Sequence, residues 1–103
     1  MRSVCCIFLA MLLFLNCAKR GGVEGTVIDR ESGHPEQGVR VRVLESGSTA
    51  QSDRAGHYRI SVTERDFILL FEKEGFEPVR VQAVEMKPGR WYRMDVALIP
   101  GNG

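Results

Sequence analysis

Residues 67–82, FILLFEKEGFEPVRVQ, contain two apolar runs separated by a charged stretch with a glycine. In the second run Val79 and Val81 alternate with polar residues. A period of two, built from β-branched and aromatic residues, is typical of a strand with one face buried and the other in water. The stretch therefore predicts two half-buried strands joined by a turn at Gly75.

The same period of two recurs from Val23 onward, and no comparable segment shows the spacing of an amphipathic helix. Turn residues such as Lys87-Pro88-Gly89 separate the runs. Short strands with regularly spaced turns predict an all-β fold, a seven-stranded antiparallel Greek-key sandwich. The predicted strands are residues 23–29, 39–45, 48–52, 57–62, 66–72, 78–84 and 91–98.

Length and composition fit one small globular domain. The chain has 103 residues, of which 44% are hydrophobic and 26% charged, so it is neither disordered nor collagen-like. Its 14 basic and 13 acidic side chains nearly balance. Nucleic-acid binding needs a clustered positive surface that displaces counterions from phosphates, so we predict no nucleic-acid partner.

The three cysteines, Cys5, Cys6 and Cys17, all lie within the first 17 residues. A disulfide framework or a cysteine metal site is therefore not possible downstream. Residues 4–15 carry no charge and follow a basic residue. This run is shorter than the roughly 20 residues of a membrane-spanning helix but fits the apolar region of a secretion signal. We expect a helical signal peptide over residues 1–16.

Phe14-Leu15-Asn16-Cys17 resembles a bacterial lipobox, with Phe where Leu is usual and Asn where a small residue is usual. The resemblance implies that residues 1–16 are removed and that Cys17 receives acyl chains, palmitate among them, which anchor the protein to a membrane. Ala18 resembles the residue found in lipoproteins of the outer membrane. The alternative is that Cys17 is a small apolar residue in a plain secretory signal or an uncleaved anchor.

In this interpretation residues 17–22 are the lipidated cysteine and a short linker. Fully extended, the residues between Cys17 and Val23 reach about 17 to 20 Å. Lys19 and Arg20 lie within this linker, where each contributes about 1 kcal/mol of binding to a negatively charged membrane surface. The domain is therefore expected close to a bilayer of the cell envelope.

Three segments, VEGTVIDRESGHPEQGVRVRV (23–43), SDRAGHYRISV (52–62) and FILLFEKEGFEPVRVQ (67–82), resemble the carboxypeptidase regulatory-like domain in order and spacing. That domain is a transthyretin-like, or prealbumin-like, sandwich. The resemblance covers residues 23–99 and leaves 100–103 as a flexible tail. It implies a non-catalytic module that accompanies other modules or belongs to surface proteins.

One departure from the family lies after Pro35. The family usually has Leu or Ile there as a plug for the core, whereas this chain has Glu36-Gln37. We therefore expect the loop over residues 33–38 to be looser or rotated outward.

Catalysis is not predicted. A nucleophile needs a base within reach, and the two histidines, His34 and His57, are expected to be solvated surface residues. The ligand spacing of a zinc site is absent. A weak calcium site formed by Asp29, Glu31 and Asp53 is an alternative, although carboxylates in turns usually serve turn geometry. We predict no enzymatic activity, no cofactor and no metal.

The transthyretin-like fold also includes an enzyme branch that hydrolyses hydroxyisourate. Those enzymes use a His and Arg set and end in Tyr-Arg-Gly-Ser. Here Tyr92-Arg93 is followed by Met94-Asp95, so a hydrolase is the least favoured hypothesis.

Two features are candidates for a binding surface. Ile68 and Leu70 are predicted to point away from the core face of their strand. Trp91, with Arg90 and Arg93 beside it, is predicted to point outward, where it can stack against a sugar or a peptide. The alternatives are that Arg and Lys stems shield the outer face of the first strand and that Trp91 caps the core.

The leading hypothesis is a lipid-anchored, non-catalytic accessory or protein-interaction module of the cell envelope, at the outer membrane, with an envelope protein or a glycan as partner. The alternative is a carbohydrate- or peptide-binding module that uses Trp91 and the adjacent arginines.

Overall fold

The computed structural model describes residues 21–101. They contain eight strands and no helix, which confirms the all-β prediction. The predicted signal peptide and Cys17 lie outside the described residues. The strands are β1 (Gly22–Asp29), β2 (Arg40–Val43), β3 (Thr49–Gln51), β4 (His57–Ser61), β5 (Phe67–Glu72), β6 (Val79–Ala83), β7 (Trp91–Arg93) and β8 (Val96–Leu98).

Two four-stranded sheets form the sandwich. In the first sheet β1 lies between β4 on one side and β7 and β8 on the other, and the second sheet has the order β3-β2-β5-β6. The pairs are antiparallel except those of β1 with β7 and β8, which are parallel. The parallel pairs differ from the antiparallel prediction. Parallel neighbours need a long crossover, and here the chain runs through the second sheet between β1 and β7, which strand alternation does not reveal.

The core lies between the sheets and follows the predicted alternation. Along β4, for example, Tyr58 and Ile60 are buried while the residues between and beside them are exposed. The rings of Tyr58 and Phe71 meet edge to face across the two sheets, with centroids 5.3 Å apart and an interplanar angle of 81°. The largest fully buried side chains are Phe71, Leu69, Leu98, Val23, Val27, Val39, Val41 and Val43.

The predicted strand 91–98 is broken into β7 and β8 at Met94-Asp95. No residue is inserted, because Glu24 pairs with Arg93 and Val27 with Val96. Instead, the carboxylate Oδ1 of Asp95 accepts the bond of the Thr26 N–H at 2.9 Å, in place of a main-chain carbonyl.

The displaced carbonyl of Met94 turns inward, where the hydroxyl of Tyr58 donates a hydrogen bond to it at 2.5 Å. A Cβ on Gly25 would lie 1.9 Å from this carbonyl oxygen, so only glycine fits there. Burial, with a smaller contribution from Asp95, raises the pKa of the Tyr58 phenol well above its ordinary value, while Arg93 lowers it slightly. The phenol is therefore a hydrogen-bond donor at neutral pH.

Main-chain bonds extend on both sides of the predicted domain, residues 23–99. Gly21, assigned to the linker, accepts a bond from the Val62 N–H at 3.0 Å, and Gly22 begins β1 by donating to the Arg90 carbonyl at 2.8 Å. At the other end, the N–H of Gly101, assigned to the flexible tail, donates to the Gly75 carbonyl at 2.9 Å. These segments look like linker and tail because they lack apolar alternation, but main-chain bonds hold them.

The loop over residues 33–38 is held to the sandwich, so the expectation that it is loose or rotated outward was wrong. The N–H of Glu36 donates to the Val27 carbonyl at 3.0 Å, and the Ser52 hydroxyl donates to the Glu36 carbonyl at 2.7 Å. The Glu36 carboxylate pairs with Lys73 at 2.6 Å, with side-chain exposures of 16% and 30%. An ion pair to the β5–β6 turn thus replaces the apolar plug.

We expect Tyr58→Phe to lower the free energy of unfolding by about 1–2 kcal/mol, because it leaves the partly buried Met94 carbonyl without its donor. Tyr92→Phe is the matched control, since the Tyr92 hydroxyl only accepts an exposed bond from the Lys87 N–H. Urea denaturation of the two variants measures the difference. Equal stabilities would show that the bond at Met94 adds nothing.

Candidate functional site

The outer face of the first sheet carries a patch of polar and aromatic side chains. β4 contributes Arg59, β1 contributes Glu24, and β7 contributes Trp91 and Arg93. The register places Glu24 between Arg59 on one side and Arg93 on the other. Paired residues on neighbouring strands point to the same side of a sheet, so these side chains share one surface, called here the Trp91 face.

The guanidinium of Arg59 covers the ring of Trp91, with its central carbon 3.9 Å from the ring centroid. The two side chains are on strands separated by β1, and Gly22, which pairs with Trp91, has no side chain in between. Arg59 also lies 3.7 Å from Glu24. A cation over an indole ring is attractive by about 0.5–1 kcal/mol at an exposed site.

The structure assigns different positions to the two arginines predicted beside Trp91. Arg93 lies on the Trp91 face, where its Nε is 3.3 Å from the Asp95 carboxylate. Arg90 precedes β7, and its carbonyl receives the Gly22 N–H. Sequence reasoning missed Arg59, the actual partner of Trp91, because the two residues are 32 positions apart and meet only through strand pairing.

An open groove of about 490 Å³ lies on this side of the molecule. Its charges are mixed, with Glu24 and Asp53 opposed by Arg59 and Arg93. This volume lies within the usual range for small-molecule sites, but such a polar lining suits a polar ligand rather than an apolar one. The lining residues are Glu24, Gly25, Gln51, Asp53, His57, Tyr58, Arg59 and Arg93.

Two of the three carboxylates considered for calcium, Asp29 and Asp53, are engaged in turns. Asp29 Oδ1 accepts the N–H of Glu31 at 2.8 Å, and Asp53 Oδ1 accepts the N–H groups of Ala55 and His57, both at 2.9 Å. Among residues 21–101, no group of three or more metal-ligating side chains is brought together. The side chains serve turn geometry, as in Asx turns.

The two apolar residues of β5 offer little surface. Leu70 retains 8% exposure, because the register places it between Arg42 and Arg80, whose stems flank it. Ile68 is half-buried and pairs with Gln82. Arginine stems therefore shield Leu70, which is the alternative that the sequence analysis named.

The described part of the chain contains no helix long and apolar enough to cross a membrane.

Comparisons with known proteins agree on the fold. The model of the carboxypeptidase regulatory-like domain matches residues 22–99. The TonB-dependent transporter Oar of Myxococcus xanthus is 35% identical over an alignment that covers 81% of this chain and only 8% of the transporter.

Two solved structures are similar in fold alone. One is a type II cohesin–X-dockerin complex from Acetivibrio cellulolyticus, with a TM-score of 0.60, 15% identity, and coverage of 72% of this chain and 51% of that one. The other is described as a putative carbohydrate binding protein from Bacteroides uniformis, with a TM-score of 0.56, 19% identity, and coverage of 78% and 41%.

We expect Arg59→Ala to expose Trp91, which is the only tryptophan of the chain. Its fluorescence should shift to longer wavelength and be quenched more readily by acrylamide, because the guanidinium no longer covers the ring. Arg93→Ala is the matched control, as it removes a cation of the same face that is paired with Asp95. Equal spectra for the two variants would contradict the stacked arrangement.

Proposed function

Because this chain belongs to the carboxypeptidase regulatory-like family, we propose that it is a lipid-anchored, non-catalytic protein of the cell envelope whose sandwich serves as an accessory and protein-interaction module. The observation that carries the proposal is the position of the first sheet. Among the described residues, main-chain bonding begins at Gly21, only four residues after the cysteine of the lipobox-like segment.

The main-chain bonds of Gly21 and Gly22 support a shorter tether than the linker expected from the sequence. With Gly21 fixed to Val62 and Gly22 fixed to Arg90, only Ala18, Lys19 and Arg20 separate Cys17 from the sheet. The four steps from Cys17 to Gly21 span about 13–14 Å when extended. A lipidated Cys17 would hold the sandwich against the membrane surface.

The tether also orients the domain. The loops that contact Gly21 and Gly22 contain Val62 and Arg90, so this end of the sandwich faces the bilayer. The opposite end carries the loop over residues 33–38 and the turn at Gly75. The Trp91 face begins at the end that faces the bilayer, where Trp91 pairs with Gly22, and extends along the first sheet toward Arg93.

The relatives support a module without its own chemistry. The family is a regulatory-like domain, and in the TonB-dependent transporter the similar segment is a small part of a much longer chain. Such a segment acts beside another activity. An envelope location, with the outer membrane favoured by Ala18, is in keeping with this relative.

Metabolic labelling with a clickable palmitate tests the anchor. The natural chain should be labelled and Cys17→Ala should lose the label, because the acyl chains are attached at this residue. Cys5→Ala and Cys6→Ala are the matched controls, since both cysteines lie in the segment that is removed, and they should label normally. Equal labelling of Cys17→Ala and the natural chain, or a mature mass that still includes residues 1–16, would defeat the proposal.

A second candidate function is binding of a carbohydrate or peptide on the Trp91 face. The observation in its favour is that Arg59, which lines an open polar groove of about 490 Å³, also covers the ring of Trp91. Arg59 occupies the ring face that a sugar would need, so binding requires the guanidinium to move aside or to join the contact. A hydrolase is less favoured, because Tyr92-Arg93 is followed by Met94-Asp95 and the Tyr92 hydroxyl is bonded to the Lys87 N–H.

Glycan and peptide arrays probed with residues 18–103 test this second function. The fragment includes every described contact, so it is expected to fold alone. Binding should be lost in Trp91→Ala and retained in Arg40→Ala, which alters the second sheet. Binding by the natural fragment that survives Trp91→Ala would exclude the Trp91 face, and turnover of hydroxyisourate would overturn the non-catalytic assignment.

A further inference from the structure

β6 forms one edge of the second sheet and pairs only with β5. The N–H of Leu44, the residue after β2, donates to the carbonyl of Ile68 at 3.0 Å. Ile68 therefore directs its main-chain polar groups toward β2. In an antiparallel ladder the direction alternates, so Leu69 directs its groups toward β6, where it pairs with Val81. The N–H and C=O groups of Arg80 and Gln82, on either side of Val81, therefore point away from the sheet.

The other edges of the described sandwich are less open. β3 is the opposite edge of the second sheet, and it packs beside β4 of the first sheet. The edge formed by β7 and β8 is interrupted at Met94 and carries the ion pair of Arg93 with Asp95. Natural sheets protect their edges by such interruptions, charges and coverings.

β6 is less protected than these edges, although it is short, carries Arg80 on its outward face and follows Pro78. It contains no proline, and its inward side chains, Val79, Val81 and Ala83, carry no charge. Val79 and Val81 are only half-buried, although both pack against the core. Val84, which follows the strand, is 57% exposed. Apolar side chains and unpaired main-chain groups thus lie along the same edge.

We propose that β6 pairs antiparallel with β6 of a second copy of this chain. The sequence of the strand, VRVQA, is self-complementary about Val81. On the inward side, Val81 faces Val81 of the partner subunit and Val79 faces Ala83 of the partner subunit. On the outward side, Arg80 faces Gln82 of the partner subunit, so no like charges oppose each other. The free main-chain groups of Arg80 and Gln82 supply the hydrogen bonds of the new ladder.

The association is weak in dilute solution. One strand of five residues from each copy buries less than the roughly 1,200 Å² of a stable complex. Confinement to a surface raises the effective concentration, so a membrane anchor would strengthen the pairing without a new contact. The proposal itself stands on the edge strand and does not depend on the anchor.

The test is an amide NMR concentration series of residues 18–103, from about 10 μM to about 1 mM. The N–H signals of Arg80 and Gln82 should shift with concentration, while those of the Trp91 face stay constant. Gln82→Pro removes an outward N–H at an edge, where proline is tolerated, and should abolish the shifts. Gln82→Ala keeps the N–H and is the matched control, so its shifts should persist.

The proposal is overturned if no shifts occur up to the highest concentration, if they map to another surface, or if they persist in Gln82→Pro. If circular dichroism shows that Gln82→Pro is unfolded, Val81→Lys replaces it, because two inward lysines would face each other at the centre of the paired strands. Loss of the shifts in a folded Val81→Lys supports the pairing, and their persistence refutes it.

Discussion

The arrangement of the first sheet depends on one inward-turned carbonyl. The carbonyl of Met94 leaves the ladder beside β1, while its N–H still donates to Glu24. Tyr58 satisfies the displaced oxygen from β4, on the far side of β1. The contact requires a residue without a side chain between them, which is Gly25. The same Tyr58 ring packs on Phe71 of the second sheet, so a single side chain links three strands and both layers. Few substitutions at these positions preserve both the hydrogen bond and the packing.

Much of the fold could be predicted from the sequence, because burial in a sandwich follows the period of two that each strand carries. Thus Tyr58 and Ile60 are buried and their neighbours exposed, as expected. The break at Met94-Asp95 could not be predicted in this way. The inward and outward phases continue unchanged across it, and only the pairing with Thr26, 69 positions earlier, distinguishes it from a continuous strand.

The candidate site is harder to predict from the sequence for the same reason, because its contacts form between strands that are far apart in the chain. Trp91 was identified as an outward aromatic, but its cation was assigned to the neighbouring arginines rather than to Arg59 on another strand. Strand alternation predicts that Leu70 points away from the core, which made it a candidate for binding. The two flanking arginines nevertheless cover it. Phase gives the side of a sheet on which a residue lies, whereas its exposure depends on side chains from other strands.

The two sheets separate the surfaces that a small envelope module needs. The first sheet begins at Gly22, near the proposed anchor, and carries the Trp91 face, whereas the free edge of β6 belongs to the second sheet. Pairing at β6 extends the second sheet sideways and leaves the outer face of the first sheet uncovered. Anchoring, self-association and ligand contact can therefore occur together on one domain without competing for the same residues.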